Sequence, residues 1–553
     1  MLKSGHVDSF CRDNLPPPGQ WPDLRLAEAG LNYPERLNVV SELVDAHLAA
    51  GRGKRVALIA GDPGMGTRWT YAELAEKINC IANVLVRDLG LKPGHRVLLR
   101  APNSPMLVAC YLAVIKAGGV AVATMPMLRA REIAYPLTKA KIALALCDHR
   151  LLDEMEGAMA LAPDLRRIVA FGQAAAELET LMAQPGYADF TAADTAQDDV
   201  CLIGFTSGTT GEPKGTLHFH RDLLAICDCY GARVLKATPD DRFIGSPPLA
   251  FTFGLGGLVL FPLRIGASSV LLEKASPPDL LVAIEAHRAT ISFTAPTAYR
   301  AMLDKTGEHR LDSLRICVSA GEALPKATFD AWQARTGLKL MDGIGATEML
   351  HIFIAAPIEA LRPGSTGIPV PGYEAKIIDE DGNEVPDGTP GRLAMRGPTG
   401  CRYLADARQR QYIVNGWNVS GDTYTRDADG YFWYQARSDD MIVSSGYNIA
   451  GPEVEASLLS HPAVAECGVV GAPDAERGMI VKAYVVLREG VAPDAATTKM
   501  LQDHVKADIA PFKYPRSITF VAALPKTQTG KLQRFELRRM AKEEAGTRTG
   551  KSD

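Results

Sequence analysis

Long apolar runs, charge of one sign and metal-spaced cysteines are all missing from this sequence. Leu249 to Leu263 is free of charge, but it is too short to cross a bilayer, holds three glycines and ends at Arg264, so it is expected to be a buried segment. The opening residues, Met1-Leu-Lys-Ser-Gly-His-Val-Asp, lack the apolar core of a signal peptide. Sixty Lys and Arg face 64 Asp and Glu, a net charge of −4, which argues against nucleic acid or an anionic membrane as a partner. Ten cysteines are scattered, and the close pair Cys227-Asp-Cys229 has no partners for a zinc site. They are expected to be reduced and mostly buried, in a cytoplasmic protein. What remains is an ordinary globular composition, 47% hydrophobic and 22% charged over 553 residues, enough for two or more domains and a large core.

Strand and helix patterns alternate through most of the chain. Residues 11 to 37, with Leu15-Pro-Pro-Pro-Gly and Trp21-Pro22, suggest an extended arm lying on a domain surface. Thr70-Tyr-Ala-Glu73 is a capping box, followed by Leu74, Ile78, Ile81 and Leu85 on one helical face. Strands are expected at 97–99, 120–124 and 142–147, and helices from Ser104-Pro105 to Gly118-Gly119 and over 130–140. Gly61-Asp-Pro-Gly-Met-Gly66 lacks a following lysine and is expected to be a hairpin or loop. The alternation predicts an α/β fold, a mostly parallel sheet with helices on both faces. From about 370 to 436 the pattern shifts to short alternating runs between turns, which is antiparallel β structure. From about 440 a smaller α+β unit follows, with helices near 452–460 and 495–508 and strands at 467–470, 483–487 and 518–521. The last dozen residues are polar and are expected to be disordered.

The stretch Thr206-Ser207-Gly208-Thr209-Thr210-Gly211-Glu212-Pro213-Lys214-Gly215 is built for anions. Glycine lets backbone N–H groups approach a ligand, the hydroxyls add donors, and Lys214 adds a positive charge. The apolar run 200–205 before it reads as a buried strand. It is not a P-loop, because Lys214 is followed by Gly215 and no helix signal comes at once. The stretch resembles the phosphate-binding signature of the adenylate-forming enzymes: acyl- and aryl-CoA synthetases, peptide-synthetase adenylation domains and luciferases.

Companion motifs stand downstream in family order. Ser319-Ala-Gly321-Glu322-Ala323-Leu324 resembles the turn that lines the adenine pocket. Met341-Asp342-Gly343-Ile344-Gly345-Ala-Thr347-Glu348 resembles the segment whose threonine touches the α-phosphate and whose glutamate holds Mg2+, a role a carboxylate suits. Ile344 stands where the family often has an aromatic residue. Asp422 matches the ribose-binding aspartate and Arg437 the ribose-contacting arginine, with Asp439 as the hinge and Ala436 where glycine is usual. Ser445, Gly446 and Tyr447 resemble the small-domain turn that lines the pantetheine channel for coenzyme A. Lys531, in Leu524-Pro-Lys-Thr-Gln-Thr-Gly-Lys531, matches the catalytic lysine of adenylation, whose charge offsets the repulsion between a carboxylate and an anionic phosphate.

The resemblance covers residues from about 40 to 540. It implies a large N-terminal adenylation domain, residues 1–438, with parallel α/β sheets and a distorted β-barrel, and a small mobile α+β domain, residues 439–553, carrying the catalytic lysine. Ala250, Phe251, Phe253 and Gly254 lie where the family forms its acyl pocket. With His351 and Ile352 they resemble the benzoate and 2-aminobenzoate CoA ligases, as does Asp13-Asn-Leu-Pro-Pro17. A glycine-floored pocket walled by Phe253 and Ile352 suits one aromatic ring. ATP, Mg2+, coenzyme A and an aromatic acid are thus the expected ligands. A homodimer, and regulatory acetylation of Lys531 by a lysine acetyltransferase, follow from the same likeness. Other small carboxylic acids, a carrier protein as acceptor, and a silent nucleotide-binding scaffold stand as alternatives.

Overall fold

The computed structural model describes residues 1–61, 66–206, 212–437, 440–444, 447–474, 477–526 and 531–549. Among these, two large sheets and a smaller β unit make up the N-terminal part. The first sheet has six strands in the order 167–171, 144–148, 96–100, 120–124, 200–205 and 215–219, parallel except for the last pair. The second has nine, in the order 368–369, 352–355, 340–345, 316–320, 291–294, 242–245, 268–271, 56–60 and 68–70. Its central pairs are parallel and its outer ones antiparallel. The central strands are buried along their whole length, as continuous apolar runs between two helical layers require.

The local signals act as their chemistry dictates. Thr70 and Glu73 close a reciprocal capping box on the helix Tyr71–Asn83, whose Leu74, Ile78 and Ile81 are buried. The Ser104 hydroxyl caps the helix Pro105–Lys116 by accepting from the Leu107 N–H at 3.2 Å. Val56–Ala60 and Arg68–Thr70 pair antiparallel across the glycine-rich 61–66 stretch, of which 62–65 lie outside the described residues. The charge-free 249–263 stretch is helical from Thr252 and buried from Gly254, and Arg264 at its end pairs with Asp228 and Glu42. No helix among the described residues is long and apolar enough to cross a membrane. All ten cysteines are free and buried.

The third sheet, built from 374–378, 391–396, 413–414, 417–426 and 432–437, is antiparallel. The N-terminal arm lies across it: Leu24 bridges Gly397, and the Asp23 N–H donates to the Gly416 carbonyl. The C-terminal part has its own core around Val454, Val469, Val485 and Leu501. It holds a three-stranded sheet, 464–474, 478–487 and 517–520, with helices Gly451–Ser460, Ala495–Asp508 and Arg534–Thr549.

The last helix corrects the expectation of a disordered tail over residues 542–549; residues 550–553 lie outside the described residues. It continues to Thr549 because its inner face finds partners: Leu537 and Ala541 are buried, and Glu544 accepts hydrogen bonds from Lys482 and Tyr484. A polar composition hides these contacts, since they reach back some sixty residues.

Candidate functional site

The phosphate-loop stretch joins the antiparallel strands Val200–Phe205 and Gly215–Phe219 at the edge of the six-stranded sheet. The hairpin is closed at its base: the Thr206 N–H donates to the Lys214 carbonyl at 2.9 Å, and the Lys214 N–H to the Thr206 hydroxyl at 3.3 Å. Ser207, Gly208, Thr209 and Thr210 lie outside the described residues. Gly204, just before the loop, is where another chain segment comes close. A Cβ there would lie 2.8 Å from Thr347 Cγ2, so glycine lets the Thr347 turn close onto the strand.

That turn follows the strand Leu340–Gly345, which carries Asp342, Gly343, Ile344 and Gly345. Burial pushes the Asp342 carboxyl well above the usual carboxylate range, and its Oδ1 has no hydrogen-bond partner. Glu348 is buried, accepts a hydrogen bond from the Tyr403 hydroxyl on Oε1, and has Lys214 Nζ 3.7 Å from the same oxygen. Lys214 Nζ also lies over the Tyr403 ring, 4.8 Å from its centroid. The sequence reading missed Tyr403; no local pattern marks it, because its partners lie 55 and 189 positions away.

Ile316–Ala320 runs parallel to 340–345 and ends beside it, so Gly321, Glu322 and Ala323 sit at the same sheet edge as the Asp342–Gly345 segment. Gly321 has a φ of +91°, a left-handed conformation that favours glycine. Lys531 reaches this edge from the C-terminal part, and a Cβ on Gly321 would lie 3.8 Å from its Nζ. Lys531 is exposed there. Burial raises the Glu322 carboxyl's pKa, and the charge of Lys531 opposes that shift. Three residues beyond Lys531, Arg534 donates to both carboxylate oxygens of the buried Glu455, at 3.0 and 2.7 Å. Arg300 of the N-terminal part donates to the Val464 carbonyl of the C-terminal part at 3.1 Å.

Asp422 and Arg437 are direct partners on antiparallel strands, so register brings two of the matched residues face to face. The Arg437 side chain is outside the described residues, as is the Tyr447 side chain; the Tyr447 backbone pairs with Ser444. Asp439, Ser445 and Gly446 also lie outside them.

The matched acyl-pocket residues do gather. Ala250, Phe251 and Phe253 are half-buried, around the short helix Thr252–Leu255, and Gly254 and Ile352 are buried. A Cβ on Gly254 would sit 2.2 Å from the Pro248 carbonyl oxygen, and one on Gly256 would sit 2.3 Å from the His351 ring. His351 is enclosed by Tyr230, Phe253, Phe261 and Phe293, with ring centroids 4.6 to 6.4 Å away. Burial lowers its pKa to about 3, so the ring is neutral; Nε2 lies 3.4 Å from the Phe253 carbonyl oxygen and Nδ1 has no partner. A second residue that sequence reasoning missed holds this pocket. The buried Asn103 amide donates to the Pro247 carbonyl at 3.0 Å, and its oxygen accepts from the Leu249 N–H at 2.8 Å.

Two sheets, a β unit and a separate small domain whose lysine meets the larger part at a strand edge are the architecture of the adenylate-forming enzymes. The chain belongs to the AMP-binding enzyme family: that family matches residues 46–403, and its C-terminal domain matches residues 453–531. The chain is 38% identical over 517 residues to the benzoate–CoA ligase of Thauera aromatica, covering 92% of this chain and 97% of that one. It is 34% identical over 514 residues to the 4-hydroxybenzoate–CoA/benzoate–CoA ligase of Rhodopseudomonas palustris, covering 91% and 94%. Among solved structures, an anthranilate CoA ligase in complex with anthranoyl-AMP superposes with a TM-score of 0.88 at 37% identity, covering 93% of this chain and 99% of the other. A benzoate CoA ligase from Burkholderia xenovorans gives 0.83 at 34% identity, covering 91% and 100%.

Proposed function

We propose that the chain is an ATP-dependent aryl-CoA ligase. It joins a single-ring aromatic carboxylate, of the benzoate or 2-aminobenzoate kind, to the α-phosphate of ATP, releasing pyrophosphate. The CoA thiol then attacks the aryl-adenylate, giving aryl-CoA and AMP. The observation that carries this reading is Lys531 of the small domain beside Gly321, at the sheet edge that also bears the Asp342–Gly345 segment. Charge placed there can bridge an incoming carboxylate and an α-phosphate.

In this reading the Thr206–Lys214 loop cradles the phosphates and Thr347 contacts the α-phosphate. Gly321–Ala323 and Asp342–Gly345 enclose adenine, and Asp422 and Arg437 hold ribose. Ala250, Phe251, Phe253, Gly254, His351 and Ile352 form the acid pocket, in which a neutral His351 can hydrogen-bond without attracting a counter-charge. The domains divide near 438, with Asp439 as the hinge and Ser445–Tyr447 along the path of CoA. Glu348 fits a hard divalent cation: it is a buried carboxylate whose two partners among the described residues both sit on Oε1. Glu348 would hold Mg2+, which when bound neutralises charge on the phosphates. The exposure of Lys531 supports its acetylation as a regulatory step, which mass spectrometry of the native protein would test. A homodimer and a cytoplasmic setting complete the proposal; sedimentation tests the first.

The test of the main reading is pyrophosphate release with ATP and magnesium across benzoate, 2-aminobenzoate, hydroxybenzoates, cinnamate, cyclohexanecarboxylate and octanoate, each with and without CoA. Sustained turnover with benzoate or 2-aminobenzoate that needs CoA is the expected result. Preference for octanoate or cinnamate would overturn the pocket assignment, and silence with every acid would overturn the ligase.

A further inference from the structure

Residues 399–404 reach the site from the β unit, and none of them has a role in the reading above. They dock along the free edge of the phosphate-loop hairpin. The Leu217 N–H donates to the Arg402 carbonyl at 2.7 Å, the Leu404 N–H to the Gly215 carbonyl at 2.8 Å, and Tyr403 bridges Thr216. Behind this edge the fully buried Arg402 pairs with the equally buried Asp222 and lies over the Phe219 ring. Gln409 holds the segment from the other side: its oxygen accepts from the Tyr403 N–H at 2.9 Å, and its amide donates to the carbonyls of Cys401 and Gln20. Thr399 donates to the Met349 carbonyl at 2.8 Å, next to Glu348. Tyr403 is therefore fixed at both backbone and side chain, and only 1% of it is exposed.

This placement brings two opposite charges into an ion pair without a hydrogen bond between them. Lys214 Nζ stands 3.7 Å from Glu348 Oε1, outside hydrogen-bond range, with the Tyr403 ring beneath it and the Tyr412 ring 5.8 Å away. The Tyr403 hydroxyl takes Oε1, so no hydrogen bond from the described residues engages Oε2. We propose that Tyr403 is a positioning residue for nucleotide binding: its hydroxyl fixes Glu348 by Oε1 and leaves Oε2 for the divalent cation on the triphosphate, and its ring seats Lys214 beside that carboxylate, ready for phosphate. The inference rests on the assignment of Glu348 made above.

The test is calorimetric titration of ATP into the full chain, in magnesium and in EDTA, with no acid or CoA present. Wild type is expected to bind ATP more tightly in magnesium. Tyr403→Phe keeps the ring and is expected to lose about tenfold of that magnesium-dependent gain, the usual effect of removing a partner that orients a metal-binding carboxylate, while its affinity in EDTA stays unchanged. In a Glu348→Gln background, adding Tyr403→Phe is expected to change nothing. Equal loss in magnesium and EDTA would mark Tyr403 as merely structural, and an intact gain, or further loss on top of Glu348→Gln, would overturn the proposal. A wild type with no gain would also overturn it. Because no acid is present, failure of the aryl-acid reading leaves this result untouched.

Discussion

Lys531 shows how much a single side chain is asked to do. It stands exposed on the small domain, yet its ammonium lies beside Gly321 of the large one. If it offsets charge between carboxylate and α-phosphate, Lys531→Ala should lower adenylate formation by 100-fold or more, on the order of 3 kcal/mol of transition-state stabilisation. Thioester formation from supplied aryl-adenylate should change little; single-turnover assays of the two half-reactions check this, and equal loss in both would refute the role. Lys531 and Glu348 could be named as candidates in advance because each sits in a stretch that resembles a family motif. Tyr403 and Asn103 could not. Asn103 reads as part of a helix start, and its partners at Pro247 and Leu249 are 144 and 146 positions away. His351 could be named as a pocket residue, but its neutral state comes from four aromatic rings gathered from distant segments.

At the scale of elements, signals between near neighbours held and signals that depend on distant partners failed. The Thr70–Glu73 capping box and the Ser104 cap involve residues three apart, and both helices start where expected. The strands on either side of the glycine-rich 206–214 stretch pair antiparallel, in keeping with the absence of a helix signal after Lys214. The C-terminal helix was misjudged because its docking groups are a buried Leu537 and a Glu544 whose partners lie on another strand. The 247–249 turn depends on one side chain of this kind. Asn103→Ala removes two buried hydrogen bonds to 247–249 and leaves backbone groups unpaired, a cost of about 2 to 4 kcal/mol. The expected outcome is a lower thermal midpoint and a KM for the aromatic acid raised more than that for ATP. Steady-state kinetics with each substrate varied would show it, and equal changes in both KM values would count against the latch.

The whole molecule carries a pH dependence set by burial. His218, His220 and His351 are fully enclosed, and burial lowers each pKa from 6.5 to about 3. The unfolded chain therefore binds protons at these sites between pH 6.5 and 3 that the folded chain does not. Stability from this source is complete above pH 6.5 and is lost as pH falls toward 3, by up to about 4 kcal/mol per pH unit for three sites together. Denaturant unfolding at pH 8, 7, 6 and 5 should show a plateau and then a decline. His220→Gln should make the decline shallower, and a flat profile down to pH 5 would contradict the enclosure of these rings. The sequence by itself determined local elements: helix caps and apolar strand runs. Each of these is written in residues close along the chain, where backbone geometry leaves few alternatives. Tertiary structure alone decided which groups meet: Asp422 opposite Arg437, Lys531 against Gly321, and Lys214 and Glu348 both seated on Tyr403. Those meetings depend on sheet register and on two domains packing together, and both are set by long-range burial that no short stretch encodes.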